Sequence, residues 1–210
     1  MTAEPLILIV DDDEGLRRSL QFLFASAGLE SQSWDSAEAF LADLPAHGPT
    51  RPGALVLDCR MPGMGGLALL RLLGERGYPL PVVIITGHGD VRMAVEALKT
   101  GAYDFIEKPF REQHLLDTVE AAAGVSRDWL DRDARRRGVA ERLARLNRRE
   151  REVLERVLEG KANKVIAHEL DLSIKTIEVY RAALMDKMQA GSVAELALLV
   201  ALHREDAARG

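Results

Sequence analysis

The sequence predicts an α/β domain built on a doubly wound five-stranded parallel sheet, followed by a helical linker and an all-α helix-turn-helix domain. Short apolar runs alternate five times with helical patterns across residues 1–120, and no strand pattern occurs after residue 111. The net charge is −8 over residues 1–120 and +3 over residues 121–210, so only the second part favours nucleic acid. We place the three segments at residues 1–122, 123–145 and 146–210.

The predicted strands are short. Three consist of apolar residues alone, as in strands that helices cover on both faces, and two are weaker. The strong strands are Leu6–Val10, Ala54–Leu57 and Pro81–Ile85, and the weaker ones are Glu30–Trp34 and Ala102–Ile106.

The predicted helices lie between these strands. The first carries an apolar stripe from Leu16 to Ala27 and ends near Gly28. The others are Ala37–Leu44, Leu67–Leu73, Val91–Leu98 and a fifth from about Leu115. The linker is expected to be a long helix with a break near Gly138, and its arginines 135–137 are interpreted as a solvated face.

The last part of the chain predicts four short helices. Asn147 with Glu150, and Ser192 with Glu195, have the spacing of capping boxes. Gly160 and Gly191 are expected to end helices. The middle helices, Asn163–Leu170 and Ile174–Met188, are joined by three residues that end in the N-cap candidate Ser173, which is typical of a helix-turn-helix.

Several protein classes are excluded by composition. No apolar run approaches the roughly 18 residues of a membrane span, and the first ten residues do not have the layout of a signal peptide. Cys59 is the only cysteine, which excludes an internal disulfide and a cysteine-built zinc site. We therefore expect a cytoplasmic protein without membrane association.

Acidic residues follow two predicted strands. Asp11 and Asp12 come directly after the first strand, and Asp58 comes directly after the third. Carboxyl ends of parallel strands share one edge of a sheet, so these carboxylates are expected to crowd together and repel one another unless a cation neutralises them. Because the ligands are all oxygens, the sequence predicts a hard ion such as Mg²⁺.

Two further side chains are expected at the same edge. Thr86 ends the fourth strand, and Lys108 follows the fifth and precedes Pro109. A carboxylate, a divalent cation, a hydroxyl and an ammonium together suit a phosphoryl group that Asp58 would accept. Each residue alone has a plainer interpretation as a turn, a helix cap or a strand end. Their joint position at strand ends favours the phosphoryl site.

Four segments resemble the motifs of two-component receiver domains, whose fold is flavodoxin-like: residues 10–14, 57–66, 85–90 and 105–110. Together with the C-terminal part, they resemble the FixJ-like branch of response regulators. The resemblance implies that Asp58 is the phosphoacceptor and that a sensor histidine kinase supplies the phosphoryl group. It implies that Asp12, Asp58 and the main-chain carbonyl of Arg60 bind Mg²⁺, with Asp11 acting mainly through water.

The same resemblance implies a conformational switch. Thr86 would move toward the phosphoryl oxygens, and Phe105 would rotate into the vacated space. Arg60 and His88 stand at positions that tune the lifetime of the phosphorylated state in the family. Neither is an obvious water-activating acid, so slow self-dephosphorylation is expected.

Residues 147–202 resemble the LuxR-type helix-turn-helix. Helical geometry predicts that Ile177, Tyr180, Leu184 and Met188 face the core, and that the opposite face of the second helix enters the major groove. The base-edge candidates are Glu178 and Val179, and the phosphate-contact candidates are Lys164, Lys175, Thr176, Arg181 and Lys187. The family often has histidine at position 180 and a polar residue at 182, where this chain has Tyr180 and Ala182.

These features predict a phosphorylation-controlled transcription factor. Its expected partners are a sensor histidine kinase, a double-stranded DNA operator and, when phosphorylated, a second copy of the chain, with RNA polymerase as a further candidate. The expected dimer face comprises Val91, Val95, Leu98 and Asp104. Release of the helix-turn-helix from the receiver is an open alternative to dimerisation.

We expect no enzymatic activity beyond self-catalysed phosphoryl acceptance and slow autodephosphorylation. A Mg²⁺-dependent aspartyl-phosphate phosphatase is the competing enzyme class, but it needs an acid two residues after the nucleophile, where this chain has Arg60. A pure interaction module that has lost phosphorylation is the third class, and the complete set of site residues argues against it.

Overall fold

A computed structural model describes residues 4–45, 48–87 and 91–207, and the backbone alone for residues 205–207. The chain divides into two compact units between Asp131 and Arg132. The strands are β1 (Leu6–Val10), β2 (Glu30–Trp34), β3 (Gly53–Asp58), β4 (Val82–Thr86) and β5 (Asp104–Glu107). The helices are α1 (Glu14–Ser26), α2 (Ala37–Asp43), α3 (Gly66–Glu75), α4 (Val91–Thr100), α5 (Glu112–Ala144), α6 (Arg148–Leu158), α7 (Asn163–Leu170), α8 (Ile174–Met188) and α9 (Val193–Ala207).

The first unit is built on one parallel sheet with the strand order β2-β1-β3-β4-β5. The order reverses beside β1, and β1 pairs with β3 so that Val10 lies opposite Leu57. The residues that follow these two strands therefore meet at one edge of the sheet. This arrangement confirms the doubly wound five-stranded sheet that the sequence predicts.

The sheet is covered on both faces. Every residue of β3 and β4 is buried, as their apolar sequences predict. One core packs Phe40 of α2 with leucines of α3, and the other packs Phe24 of α1 with Leu115 and Val119 of α5. The predicted strands lie within two residues of the observed ones.

The second unit is an all-helical bundle around one apolar cluster that includes Val153, Ile166, Ile177 and Leu184. The observed α7 and α8 have the predicted bounds. Ser173 caps α8, since its hydroxyl accepts a hydrogen bond of 3.0 Å from the backbone N–H of Thr176. The predicted helix-turn-helix is therefore confirmed.

The linker differs from its prediction. Residues 112–144 form one helix, so the expected break at Gly138 is absent, and helical hydrogen bonding continues through a glycine that costs only about 1 kcal/mol relative to alanine. Arg135, Arg136 and Arg137 are exposed, and the last two pair with Asp133, as expected of a solvated face.

The predictions for the end of α8 and for the start of α9 need correction. Gly160 follows α6 with a positive φ, as expected, but α8 ends at the left-handed Gln189 rather than at Gly191. The capping box at Ser192 is only half formed. Its hydroxyl accepts from the N–H of Glu195, whereas the Glu195 carboxylate accepts from the N–H of Gly191 instead of Ser192.

The part of the chain that the structure describes contains no helix both long and apolar enough to cross a membrane.

Candidate functional site

The sheet brings the predicted acidic residues and lysine to one edge. Asp11 follows β1, Asp58 is the last residue of β3, and Lys108 follows β5 and is joined to Pro109 by a cis peptide bond. Their side chains converge, because Lys108 Nζ lies 3.0 Å from Asp11 Oδ2 and 2.6 Å from Asp58 Oδ1. One ammonium therefore bridges two carboxylates that are far apart in the sequence.

The bridge is largely buried. Asp11 is 1% exposed and Asp58 is 6% exposed. Burial by itself lowers the pKa of Lys108, but hydrogen bonds to Asp58 and Asp11 outweigh that effect and raise the pKa above its usual value. Lys108 is consequently protonated at neutral pH.

Asp11 is held more rigidly than its exposed neighbour Asp12. Its Oδ1 accepts from the N–H of Asp13 at 2.8 Å, and its carbonyl oxygen accepts from the guanidinium of Arg17 at 2.7 Å. Burial raises the pKa of Asp11, and the hydrogen bonds from Asp13 and Lys108 offset this increase only in part. The surroundings of Asp11 therefore disfavour its ionised form, and burial is the main cause.

The expected crowding of three carboxylates is not observed. Asp12 is exposed, and within the described ranges no three acidic, histidine or cysteine side chains are grouped closely enough to hold a metal ion. The Lys108 ammonium lies between the other two carboxylates, those of Asp11 and Asp58. The donors at this edge, Asp11, Asp12 and Asp58, still offer only oxygens, which fits a hard cation rather than a soft one.

The chain after Asp58 folds back over its carboxylate. The N–H of Arg60 donates to Asp58 Oδ2 at 2.6 Å, while Lys108 occupies Oδ1. The N–H of Cys59 donates to Ile85 O at 3.0 Å, which ties this turn to β4. Both oxygens of Asp58 are therefore oriented before any ligand arrives.

The two residues of the expected switch occupy neighbouring strands. Thr86 ends β4 and is 1% exposed, and its carbonyl oxygen accepts from the N–H of Lys108 at 2.7 Å. Phe105 lies on β5 opposite Ile84 and is half-buried against the core, whereas Tyr103 is 39% exposed. The partial burial of Phe105 is compatible with a ring that moves inward. His88 lies outside the described residues.

The predicted dimer face is an apolar stripe. Val91, Val95 and Leu98 occupy one side of α4 and are 81%, 44% and 50% exposed. Asp104 is half-buried, and its carboxylate accepts from the N–H of Phe105 at 2.8 Å. The same short segment therefore carries an exposed apolar stripe and one switch residue.

The outer face of α8 is available to a partner. Lys175, Glu178 and Val179 are exposed, as is Lys164 on α7, while Thr176 and Arg181 are half-buried. The Thr176 hydroxyl lies 2.7 Å from that of Ser173 at the start of the helix. On the opposite face, the expected core residues Ile177, Leu184 and Met188 are buried, and Tyr180 is half-buried.

Lys187, one of the predicted phosphate contacts, has a carboxylate partner that the sequence does not predict. Its Nζ lies 2.7 Å from each oxygen of Glu150, which is only 3% exposed. The ammonium is thus committed to a buried carboxylate and belongs to the framework that holds α8 against α6.

Glu150 also completes the predicted capping box with Asn147, because its carboxylate accepts a hydrogen bond of 2.8 Å from the Asn147 N–H. Burial would raise the pKa of Glu150, but the hydrogen bonds from Lys187 and from the Asn147 backbone outweigh it and lower the pKa. The spacing of Asn147 and Glu150 in the sequence predicts the capping role of Glu150. No nearby sequence pattern indicates that Lys187 is its partner. The contact of Arg17 with Asp11 was likewise not predicted.

Both units match known protein families. Residues 7–120 match the response regulator receiver domain, and residues 144–200 match bacterial regulatory proteins of the luxR family. The chain is 45% identical over 199 residues to transcriptional regulatory protein FixJ of Bradyrhizobium diazoefficiens, covering 95% of this chain and 96% of FixJ.

Two further similarities extend over nearly the whole chain. The C4-dicarboxylate transport transcriptional regulatory protein DctR of Rhodobacter capsulatus is 44% identical over 191 residues, which is 90% of this chain and 95% of DctR. The solved structure of response regulator StyR has a TM-score of 0.86 at 38% identity and covers 94% of this chain and 98% of StyR.

Proposed function

The chain belongs to the two-component response regulators that join a receiver domain to a LuxR-type DNA-binding domain, and from this premise we propose that phosphorylation of Asp58 controls its binding to an operator. One observation carries the proposal: the Lys108 ammonium and the Arg60 N–H each hold one oxygen of Asp58. A nucleophilic carboxylate needs such prepositioned charge, because a transferring phosphoryl group brings several anionic oxygens with it.

In the proposed transfer, an Asp58 oxygen forms a bond to phosphorus and the P–N bond of a phosphohistidine on the sensor kinase breaks. The bonding electrons return to the imidazole. Lys108 neutralises negative charge at the new acyl phosphate, and the Thr86 hydroxyl donates to a phosphoryl oxygen. The receiver family generally binds Mg²⁺ at its phosphorylation site. The oxygens of Asp11, Asp12, Asp58 and Arg60 would hold it, and it supplies charge neutralisation there.

The proposed conformational change begins when the Lys108 ammonium shifts toward the phosphoryl group on Asp58. When the phosphoryl group attracts Lys108 and Thr86, β4 and β5 change at their ends and Phe105 moves inward. The predicted dimer face lies on α4, which follows β4, and on β5: Val91, Val95 and Leu98 on the helix, and Asp104 on the strand. The change therefore alters a surface that fits a second copy of the chain. Dimerisation would double the DNA contacts of a weakly basic C-terminal unit.

The proposed DNA interface is the exposed face of α8 with the start of α7. Lys164, Lys175, Thr176 and Arg181 contact phosphates, and Glu178 and Val179 reach base edges. Release of this surface from the receiver is a second route to activation. RNA polymerase is a further candidate partner. Because its operator would be chromosomal, we place the protein's action in the cytoplasm.

Intact-mass measurement tests the proposal. Incubation of the full chain with Mg²⁺ and acetyl phosphate is expected to add one phosphoryl group to the wild type and none to Asp58→Asn, while Asp35→Asn, a change at an exposed aspartate, behaves like the wild type. Continuous turnover of the donor would instead indicate a phosphatase, and no added mass an interaction module. An Asp58→Asn chain that is still phosphorylated would refute Asp58 as the acceptor.

A second measurement tests the output. Operator fragments selected from genomic DNA should bind more tightly to the phosphorylated chain than to Asp58→Asn under the same conditions. Equal binding by both would contradict control through Asp58.

A further inference from the structure

The loop that follows Asp58 is anchored to this residue at both ends. At its start, the N–H of Arg60 donates to the Asp58 carboxylate at 2.6 Å. At its end, Gly66 packs so closely that an added Cβ would collide with the carbonyl oxygen of Asp58, and its N–H donates to Cys59 O at 3.0 Å. The shape of the loop between these points therefore affects how the Arg60 backbone is presented to Asp58.

A side chain from α2 holds the middle of this loop. The Glu38 carboxylate accepts from the N–H of Met64 at 2.9 Å, through Oε1. The preceding residue, Gly63, has a φ of 74°, and a Cβ there would lie 2.8 Å from the same Oε1. Gly63 thus supplies both the left-handed turn and the space that the carboxylate needs.

We propose that Glu38 is a positioning residue for phosphoryl transfer, which holds the midpoint of the loop so that the Arg60 backbone stays at the Asp58 carboxylate. A hydrogen bond to an ionised acceptor is stronger than a neutral one, and here it joins two elements that are distant in sequence. Glu38 acts through the loop, since its observed hydrogen bond is with Met64 rather than with Asp58. The inference rests on the proposed function, because it takes Asp58 as the acceptor.

The test compares three changes in the full chain. Glu38→Ala removes the acceptor, Glu38→Gln keeps a carbonyl acceptor of the same length, and Glu75→Ala removes an exposed glutamate from the end of α3 as a charge-matched control. Three quantities are measured: the rate constant for phosphorylation by acetyl phosphate, the Kd for Mg²⁺ by calorimetry, and hydrogen exchange at the Met64 amide.

Glu38→Ala is expected to lower the rate constant about tenfold, to weaken Mg²⁺ binding and to speed Met64 exchange about tenfold, as for a lost hydrogen bond. Glu38→Gln should stay within about twofold of the wild type in all three, because its side-chain oxygen still accepts from Met64. Glu75→Ala should be indistinguishable from the wild type. Should Glu38→Ala fail to fold, Glu38→Asp, which keeps the charge but shortens the reach, is expected to show the same losses.

Two results would overturn the inference. One is a Glu38→Ala chain with wild-type phosphorylation and Mg²⁺ affinity, and the other is a Glu38→Gln chain as impaired as Glu38→Ala. If the wild type itself accepts no phosphoryl group, the proposed function fails instead, and Met64 exchange and Mg²⁺ affinity still decide whether Glu38 positions the loop.

Discussion

Each unit of the protein contains a lysine that is bonded to a buried carboxylate, and the two sites differ in their balance of charge. In the first unit, Lys108 is shared by Asp11 and Asp58, and the pKa of Asp11 is raised. In the second unit, Lys187 pairs with one carboxylate, that of Glu150, and the pKa of Glu150 is lowered. One ammonium for two carboxylates leaves one formal negative charge unmatched in the first site, whereas the pair in the second site is balanced.

The first site is the proposed phosphoryl acceptor, and the second is an ion pair within the helical framework. In the proposed function, the unmatched negative charge beside Asp58 attracts a cation, and that cation offsets the negative charge of the incoming phosphoryl group. The completed pair at Glu150 also closes a capping box and so fixes the helices that present α8. The two ion pairs therefore differ in how much of their negative charge is matched.

Removal of Lys187 should have the largest effect on stability. Lys187→Ala leaves Glu150 buried without its cation, and we expect a loss of about 3 kcal/mol in the free energy of unfolding. Lys164→Ala, at an exposed lysine, should change it by less than about 0.5 kcal/mol. Urea unfolding monitored by circular dichroism measures both, and equal stabilities would show that the Lys187 pair is not structural.

Lys108→Ala should instead affect chemistry more than stability. Without the ammonium, phosphorylation of Asp58 by acetyl phosphate is expected to slow about a hundredfold, as when a preorganised charge is removed from a reacting group. Lys99→Ala, at an exposed lysine near the end of α4, is the matched control. A Lys108→Ala chain that reacts at the wild-type rate would contradict the role of the bridge.

The two sites should respond to acid in opposite directions. Because the pKa of Glu150 is lowered on folding, its contribution is present above its unfolded pKa near 4.5 and is lost as pH falls through the lower folded value. Because the pKa of Asp11 is raised, its ionised form opposes folding at neutral pH, and this penalty fades as pH falls from its folded value toward 3.8.

Unfolding measured against pH in a chelating buffer checks this contrast. Glu150→Gln should lose stability at neutral pH and approach the wild type in acid, whereas Asp11→Asn should gain stability at neutral pH and lose that gain in acid. The same sign for both variants would contradict the charge comparison.

The smallest expected effect concerns DNA. Lys175→Ala should reduce the slope of log affinity against log salt by about one per protomer, because an exposed ammonium near a phosphate releases a counterion. Lys161→Ala should leave the slope unchanged, since Glu159 and Glu169 already hold its ammonium. A filter-binding or anisotropy titration at several salt concentrations separates the two.

Much of the fold could be predicted because its causes are local. Apolar runs predict β1, β3 and β4 to within two residues, and the bounds of α7 and α8 follow from apolar spacing and the Ser173 cap. The convergence of Asp11, Asp58 and Lys108 also follows, since strand ends in a parallel sheet share an edge. The exposure of Asp12 beside the buried Asp11 did not follow, because chain position does not specify where each side chain points.

The sequence by itself therefore determined the order of elements, the helix-turn-helix and which residues gather at the acidic edge, because these depend on periodicity, capping and strand order. Only the tertiary structure decided that Lys108 bridges two carboxylates, that Lys187 contacts Glu150, and that Glu38 reaches Met64. Those pairings join residues 26 to 97 positions apart, and no local pattern encodes them. They form because the packing of helices and strands brings two polar groups within hydrogen-bond distance, and a group removed from water by burial needs such a partner.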